Sequence, residues 1–475
     1  AEIDYKLRLQ FDTPEHALVF GQTNLSDRAV ARIEAVRASD GSVDPVRLDL
    51  FFPSRQSALA FSQDEGLAAG FGFTANKSPG RTATRSSYRL IVQFRNQEDI
   101  AAFQAEHAAY QSGVRAQLTA IQAGELFDSL DGVSLLSPSD RMGPLMSDAG
   151  IPDHPSYFDV DLWHPGEQGL LSDAIDQFRQ IVANAGGRVT DGPRVFAESL
   201  LLARVHGAGQ LVNALLNYDR VASVDLPPML TELDVSVLDP VALPAEPLIP
   251  PDTAALACLL DSGVVAGHPL LAGSVLDERD FGTAEGSVSD LNGHGTAVAG
   301  LLVHGDISAC MARSEWSPKL RLLSAKVLRN ADNGGTEFSD ERLALSQIEE
   351  AIRAFHAEYG CRIFNLSVGH LGRPYRGGRQ LPWAQALDYL ARELDIVLVV
   401  AAGNAQPDKP DASTEQGFRD AMRDMLLNSA GHRLIDPGTA ALALTVGSIA
   451  RSDQPTQQHQ GSRERIPAVP AGCPS

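Results

Sequence analysis

The second half of the chain alternates apolar strand-like segments with helical ones, and this alternation restricts the fold more than any other feature. Residues 254–260 (AALACLL) are almost continuously apolar, as expected for a strand buried on both faces of a parallel sheet. Residues 320–328, 362–369, 395–403 and 441–447 predict further strands, and 343–359 and 383–394 predict helices. Strands and helices in this order predict a doubly wound parallel α/β sheet over residues 254–475. Such sheets bind ligands at the carboxyl ends of their strands.

The first half predicts two α+β domains. Residues 1–150 carry three strand-like segments of period 2, at 5–11, 46–52 and 88–94, and a helical segment at 99–110. Residues 155–228 follow the order β-α-β-β-α-β, which predicts a ferredoxin-like domain whose first helix has Ser172 as its N-cap. Residues 229–253 contain five prolines and predict a stiff, extended linker.

Composition excludes several classes of function. The net charge of −21 argues against a broad basic surface for nucleic acid. No apolar run approaches the roughly 20 residues of a membrane-spanning helix, and no secretory signal is visible. The four cysteines are scattered, which predicts reduced thiols without a metal site or a disulfide framework. We therefore expect a cytoplasmic protein without a cofactor, bound neither to nucleic acid nor to a membrane.

Three polar residues lie at strand ends or at a helix start, positions where side chains can form a catalytic site. Asp261 ends the first buried strand, His294 lies between two glycines at a helix start, and Asn404 follows a later strand. An aspartate can fix the tautomer of an imidazole, whose other nitrogen is then free to take a proton from a nucleophile. A carboxamide can stabilise an oxyanion. Taken singly, each residue also has a structural explanation: a strand-end carboxylate, a helix-start histidine or a turn asparagine.

Together with their neighbours, these residues resemble the subtilisin-like serine proteases, or subtilases. The similar segments are residues 260–263 (LDSG), 290–300 (DLNGHGTAVAG), 365–369 (NLSVG), 401–404 (AAGN) and 443–448 (ALTVGS). The order of Asp before His also matches the subtilisin form of the catalytic triad. The resemblance covers residues 254 to about 450.

The resemblance implies roles for individual residues. Asp261 would orient His294, His294 would act as the general base, and Asn404 would donate to the oxyanion. Ser367, Val368 and Gly369 would pair with the backbone of a peptide or protein substrate, with Ala402 and Gly403 beside the pocket for the residue that precedes the scissile bond. The domain at 155–228 and its linker would be an intramolecular propeptide, acting as chaperone and inhibitor.

One departure concerns the nucleophile. The family places its serine in a Gly-Thr-Ser-x-Ala segment, which is absent from the 475 residues; Gly438 begins Gly-Thr-Ala-Ala instead. We therefore expect a subtilase truncated before its serine, with an incomplete sheet and no peptidase activity as it stands. The alternative is a non-catalytic module that binds peptides. A nucleotide-binding domain is disfavoured because no Gly-x-Gly-x-x-Gly or Walker lysine motif occurs.

Further expectations concern residues near this constellation. Residues 405–438 interpose a helical segment at 414–427, and we predict that this stretch covers or borders the cleft as a lid. Asp290 is interpreted either as a residue that favours basic substrates or as a solvated loop carboxylate. His268, His304 and His370 are interpreted as loop residues without partners.

Overall fold

The computed structural model describes residues 137–447 with several gaps. The gaps are 166–167, 198–199, 231–243, 245, 247, 332–333, 376–379, 404–416, 418–419 and 422–432. Before residue 137 it describes the backbone of five strands and residues 105 and 112. The chain divides into two compact units, Ala1–Leu226 with Arg376–Gln380, and Pro227–Tyr375 with Leu381–Ser475. The helix predicted at 99–110 lies largely outside the described residues.

The first unit begins with an antiparallel sheet of five strands. These are β1 (Lys6–Phe11), β2 (Ala31–Ser39), β3 (Ser42–Leu50), β4 (Ser87–Gln93) and β5 (Leu130–Leu135), in the order β3-β2-β4-β1-β5. Strands β1, β3 and β4 are the three that their period-2 patterns predict. Strands β2 and β5 were not predicted.

A second sheet in this unit has the ferredoxin-like arrangement. After α1 (Pro144–Ala149), the elements are β6 (Ser156–Leu162), α2 (Gln168–Asn184), β7 (Arg188–Phe196), β8 (Leu200–Gly207), α3 (Gly209–Leu216) and β9 (Val221–Asp225). The sheet order is β7-β8-β6-β9, with antiparallel neighbours. The β-α-β-β-α-β order predicted from the sequence is the observed one, and α2 and α3 contribute Phe178 and Leu211 to the core.

The predicted N-cap of α2 is wrong. Ser172 lies inside the helix, which begins at Gln168. The extra first turn carries Leu171, which is buried in the core of the domain. The helix therefore starts about one turn before the predicted position, and this turn adds an apolar side chain to the core.

The second unit is built on a parallel sheet of six strands. They are β10 (Ala255–Asp261), β11 (Val275–Asp280), β12 (Leu320–Lys326), β15 (Ile363–Leu366), β17 (Val397–Ala401) and β19 (Leu444–Val446), in the order β11-β12-β10-β15-β17-β19. Two short pairs accompany the sheet: β13 (Arg329–Asn330) with β14 (Thr336–Glu337), and β16 (His370–Pro374) with β18 (Ile435–Asp436). The predicted doubly wound parallel α/β sheet is confirmed.

Helices in this unit are α4 (His294–His304), α5 (Ile307–Arg313), α6 (Ala344–Tyr359) and α7 (Pro382–Leu394). Helix α4 packs through Ala299 and Val303 onto Leu259 and Leu322 of the sheet.

No single helix in the described part of the chain is long and apolar enough to cross a membrane. Helices α4 and α5 reach that length and hydropathy only when taken together, across a bend of 68°.

The start of α4 lies against the loop that follows β10. A Cβ atom at position 295 would clash with the carbonyl oxygen of Gly263, so only glycine fits there. Gly293, the N-cap, has a φ of 99°, which favours glycine as well. The two glycines that flank His294 thus allow the helix start to approach the end of β10.

Candidate active site

Asp261 and His294 meet at the carboxyl edge of the sheet. Asp261 is the last residue of β10 and is fully buried, and the side chain of His294, the first residue of α4, is 10% exposed. The distance from Nδ1 of His294 to Oδ1 of Asp261 is 2.6 Å. Because an ionised carboxylate only accepts, Nδ1 carries the proton and Nε2 is left with a free lone pair. Nε2 has no hydrogen-bond partner among the described residues.

The pKa of His294 is raised above its ordinary value. Burial acts to lower the pKa of this imidazole, but the hydrogen bond to Asp261 and the negative charges of Asp261 and Asp290 outweigh burial. The imidazolium is therefore stabilised in this setting. A base that gains a proton in a reaction benefits from such an environment, because the charge that forms on it has a partner already in place.

Asp290 organises the loop that carries His294, and the interpretation of it as a solvated loop carboxylate is wrong. Asp290 is only 5% exposed. Its Oδ1 accepts hydrogen bonds from Ser262 Oγ (3.0 Å), Asn292 N (3.0 Å) and Gly293 N (2.8 Å). Its Oδ2 accepts from Thr296 N (2.8 Å) and Thr296 Oγ1 (2.6 Å).

Ser262 joins the two sides of the site, a role that the sequence analysis missed. Its backbone N–H donates to Asp261 Oδ1 at 2.8 Å, and its hydroxyl donates to Asp290 and accepts from Gly295 N at 3.0 Å. One residue thereby contacts the carboxylate of Asp261, the loop carboxylate and the helix start. Its place directly after Asp261 was the available signal, but neither spacing nor composition distinguishes it from other serines.

A buried ion pair supports the same loop. Lys326, at the end of β12, is 1% exposed and lies 2.7 Å from Glu285. Its Nζ also donates to the carbonyl oxygen of Ser289 at 2.8 Å, next to Asp290. Burial acts to raise the pKa of Glu285, but hydrogen bonds from Lys326 and Asn330 outweigh it and lower the pKa. The segment that leads to His294 is thus tied to the central strands.

The predicted substrate-binding residues follow the ends of two neighbouring strands. Ser367, Val368 and Gly369 follow β15, and Ala402 and Gly403 follow β17, which pairs with β15. The hydroxyl of Ser367 donates to Asn365 Oδ1 at 3.0 Å, and Val368 is buried. Asn404 and the predicted lid helix at 414–427 lie outside the described residues. With Asp261 and His294, the structure thus places seven of the eight predicted site residues at one edge of the sheet.

The three histidines expected to be loop residues without partners all have partners. His304 ends α4, is 2% exposed, and its Nε2 lies 2.8 Å from Leu270 O. His370 is buried in β16, where Nδ1 accepts from Gly372 N and where burial, with the charge of Arg373, holds its pKa well below the usual range. His268 Nδ1 accepts from Leu270 N. Each of these histidines therefore makes a hydrogen bond within the fold.

Cysteines and metal ligands give no second site in the described residues. No group of three histidine, cysteine, aspartate or glutamate residues there could hold a metal ion. Cys258 and Cys361 are buried free thiols, and burial raises the pKa of each.

Comparison with known proteins identifies the second unit. A family model described as the subtilase family matches residues 252–467. The chain carries a subtilase domain. That match spans the Asp261–His294 pair and the strand ends at 367–369 and 402–403. A second model, described as the Y4kK central domain, matches residues 140–226, which contain the ferredoxin-like sheet.

Individual relatives match parts of the chain. Protein y4bN of Sinorhizobium fredii is 41% identical over 130 residues, covering 27% of this chain and 30% of its own length. Protein y4kK of the same organism is 31% identical over 198 residues, covering 39% of this chain and 62% of its own. Thermitase of Thermoactinomyces vulgaris is 29% identical over 159 residues, covering 32% of this chain and 49% of its own length. The chain therefore spans less than two thirds of the length of each of these relatives.

Proposed function

We propose that the protein is a serine-type endopeptidase that hydrolyses peptides or proteins through an acyl-enzyme. The observation that carries this proposal is the 2.6 Å hydrogen bond between Asp261 and His294 at the carboxyl edge of a subtilase sheet. The bond leaves Nε2 as a base, and the carboxylate balances the positive charge that the ring gains.

The steps follow from these positions. A serine hydroxyl attacks the scissile carbonyl while Nε2 of His294 takes its proton, and the tetrahedral oxyanion accepts a hydrogen bond from Asn404. His294 then returns the proton to the departing amine, which leaves an acyl-serine. Water, deprotonated by the same nitrogen, hydrolyses the ester and restores the serine.

We propose that the nucleophilic serine is encoded outside the 475 residues. None of their serines stands in a Gly-Thr-Ser-x-Ala segment. On this proposal, the 475-residue polypeptide retains the base and its orienting carboxylate but lacks the group that forms the acyl-enzyme. A subtilase without its serine keeps only the residual rate that binding and the oxyanion site supply.

A fluorophosphonate probe tests both parts of this proposal. The full-length gene product is expected to become covalently labelled, whereas the 475-residue polypeptide and a full-length His294→Ala variant are not, as measured by mass spectrometry of the intact proteins. Labelling of the 475-residue polypeptide would place the nucleophile within it. A full-length product that stays unlabelled would instead favour a non-catalytic module that binds peptides.

We further propose that the ferredoxin-like domain acts as an intramolecular inhibitor. Support comes from the residues that follow it. Met229 and Leu230 run antiparallel to β16, with Leu230 opposite His370 and the N–H of Leu371 donating to Met229 O at 2.9 Å. This segment therefore makes one antiparallel backbone contact with the chain directly after residues 367–369, the mode of pairing by which an extended peptide would bind there.

Release of this domain is expected to raise peptidase activity. The full-length protein would be cut once in the proline-rich linker, at a protease site introduced between residues 231 and 247, and the fragments would be separated by gel filtration. Because inhibition is intramolecular on this proposal, turnover of a fluorogenic peptide should rise on separation and fall when the domain is added back. Equal turnover before and after separation would contradict it.

A further inference from the structure

The side chain of Ile435 fills the gap between the ends of β15 and β17. A Cβ atom at Gly369, which follows β15, would clash with Cδ1 of Ile435 and lie 2.8 Å from its Cγ1. A Cβ atom at Gly403, which follows β17, would lie 2.8 Å from Cγ1 and 3.1 Å from Cδ1. Ile435 is 5% exposed. The absence of side chains at these two glycines, which follow different strands, thus leaves the space that Ile435 occupies.

Backbone hydrogen bonds, and contacts of the next residue, hold the backbone of Ile435 in this position. Its N–H donates to Ala402 O at 3.1 Å, and its carbonyl oxygen accepts from Gly438 N at 2.6 Å. The next residue, Asp436, accepts from Trp383 N at 2.9 Å and Ala384 N at 2.8 Å, at the start of α7. The segment also pairs with β16. Ile435 therefore cannot move away without breaking this backbone network.

The gap that Ile435 fills lies one strand from the catalytic pair. In the sheet order β10-β15-β17, only β15 separates the gap from the strand that ends in Asp261, and neighbouring strands are about 4.8 Å apart. Gly403 directly precedes Asn404, which donates a hydrogen bond to the oxyanion in the proposed mechanism. On the proposed mechanism the scissile carbonyl of a peptide lies next to Gly403, and the side chain of the same residue then points toward the gap.

We propose that Ile435 restricts the residue on the amino side of the scissile bond to glycine or alanine. This inference rests on the proposed peptidase function and adds a substrate class to it. The space that a leucine or phenylalanine side chain would need is already occupied by the branched side chain of Ile435, whose backbone is hydrogen-bonded at both its N–H and its carbonyl. At native packing density, a buried side chain in this position leaves little space for a second one.

The test is a series of internally quenched peptides that differ only in this residue, cleaved by the full-length protein. We expect kcat/KM for glycine or alanine to exceed that for leucine or phenylalanine by about 100-fold, since a few methylene groups in a closed pocket decide between substrates on this scale. Ile435→Ala should raise kcat/KM for the leucine and phenylalanine peptides and so remove most of the preference for glycine and alanine. Leu434→Ala, which truncates an exposed neighbour in the same segment, should leave the ratio unchanged.

The outcomes separate this proposal from the peptidase function. Turnover of the peptides with a preference for leucine or phenylalanine in the unmodified protein would overturn the role of Ile435 and leave the peptidase function standing. An Ile435→Ala protein that folds, as judged by its thermal unfolding, and keeps the original ratio would do the same. No turnover of any peptide by the unmodified protein would overturn both.

Discussion

Replacement of Asp261 by asparagine is expected to lower the kcat of the full-length protein by about 10⁴-fold, with KM little changed. The asparagine can offer its amide N–H₂ to Nδ1 of His294, which accepts only when the ring proton sits on Nε2. In that tautomer Nε2 has no lone pair for the proton of the nucleophile. Steady-state kinetics measures the loss, and ¹⁵N NMR of His294 identifies the nitrogen that carries the proton.

The pH profile provides a second measure of the same change. The pKa of His294 is raised, and a general base must be neutral, so kcat/KM of the unmodified protein should increase with pH through a midpoint above 6.5. Without the charge of Asp261 this midpoint should move down. Asp252→Asn is the matched control, because the Asp252 side chain is fully exposed in the same unit. An Asp261→Asn protein that retains a tenth of the normal kcat would contradict the assigned role.

The sequence predicted the central strands and the pairing of Asp261 with His294 because both depend on local signals. Strands β10 and β17 are apolar runs that a parallel sheet requires, and Asp261 and His294 lie in motifs with glycine at fixed offsets. Strand β11 was missed because four of its six residues are charged. It lies at the edge of the sheet, where its side chains are only partly buried, so the apolar pattern that reveals the other strands is absent.

Residues whose roles depend on distant contacts could not be predicted. Asp290 stands among asparagine and glycine, a composition typical of a solvated loop, and only the fold shows that its donors come from Ser262 and Thr296. Ile435 lies 32 residues after Gly403 and 66 after Gly369, and nothing in its neighbourhood indicates that the three meet. Both cases concern side chains that fill a space or bind donors contributed by other segments.

Replacement of Asp290 by alanine is expected to destabilise the subtilase domain by about 3 kcal/mol. The change leaves buried donors of Ser262, Gly293 and Thr296 without an acceptor, and each such group costs about 1–3 kcal/mol, less where the loop relaxes toward water. Urea unfolding of the 475-residue polypeptide measures this cost. Asp306→Ala is the control, since it removes a helix cap that accepts from Ala309 N and should cost about 1 kcal/mol.

The pKa of His294 distinguishes an effect of Asp290 on this histidine from an effect on stability alone. Asp290 contributes negative charge that raises this pKa, so Asp290→Asn should lower it, whereas Asp306→Ala should not change it; NMR titration of His294 provides the readout. A histidine whose folded pKa is raised stabilises the fold below its unfolded pKa, near 6.5, and this contribution is lost as pH rises through the folded value. Asp290→Asn should therefore reduce the decline in unfolding free energy that occurs above pH 6.5. An unchanged His294 pKa in the Asp290→Asn protein would show that the loop carboxylate acts on the fold alone.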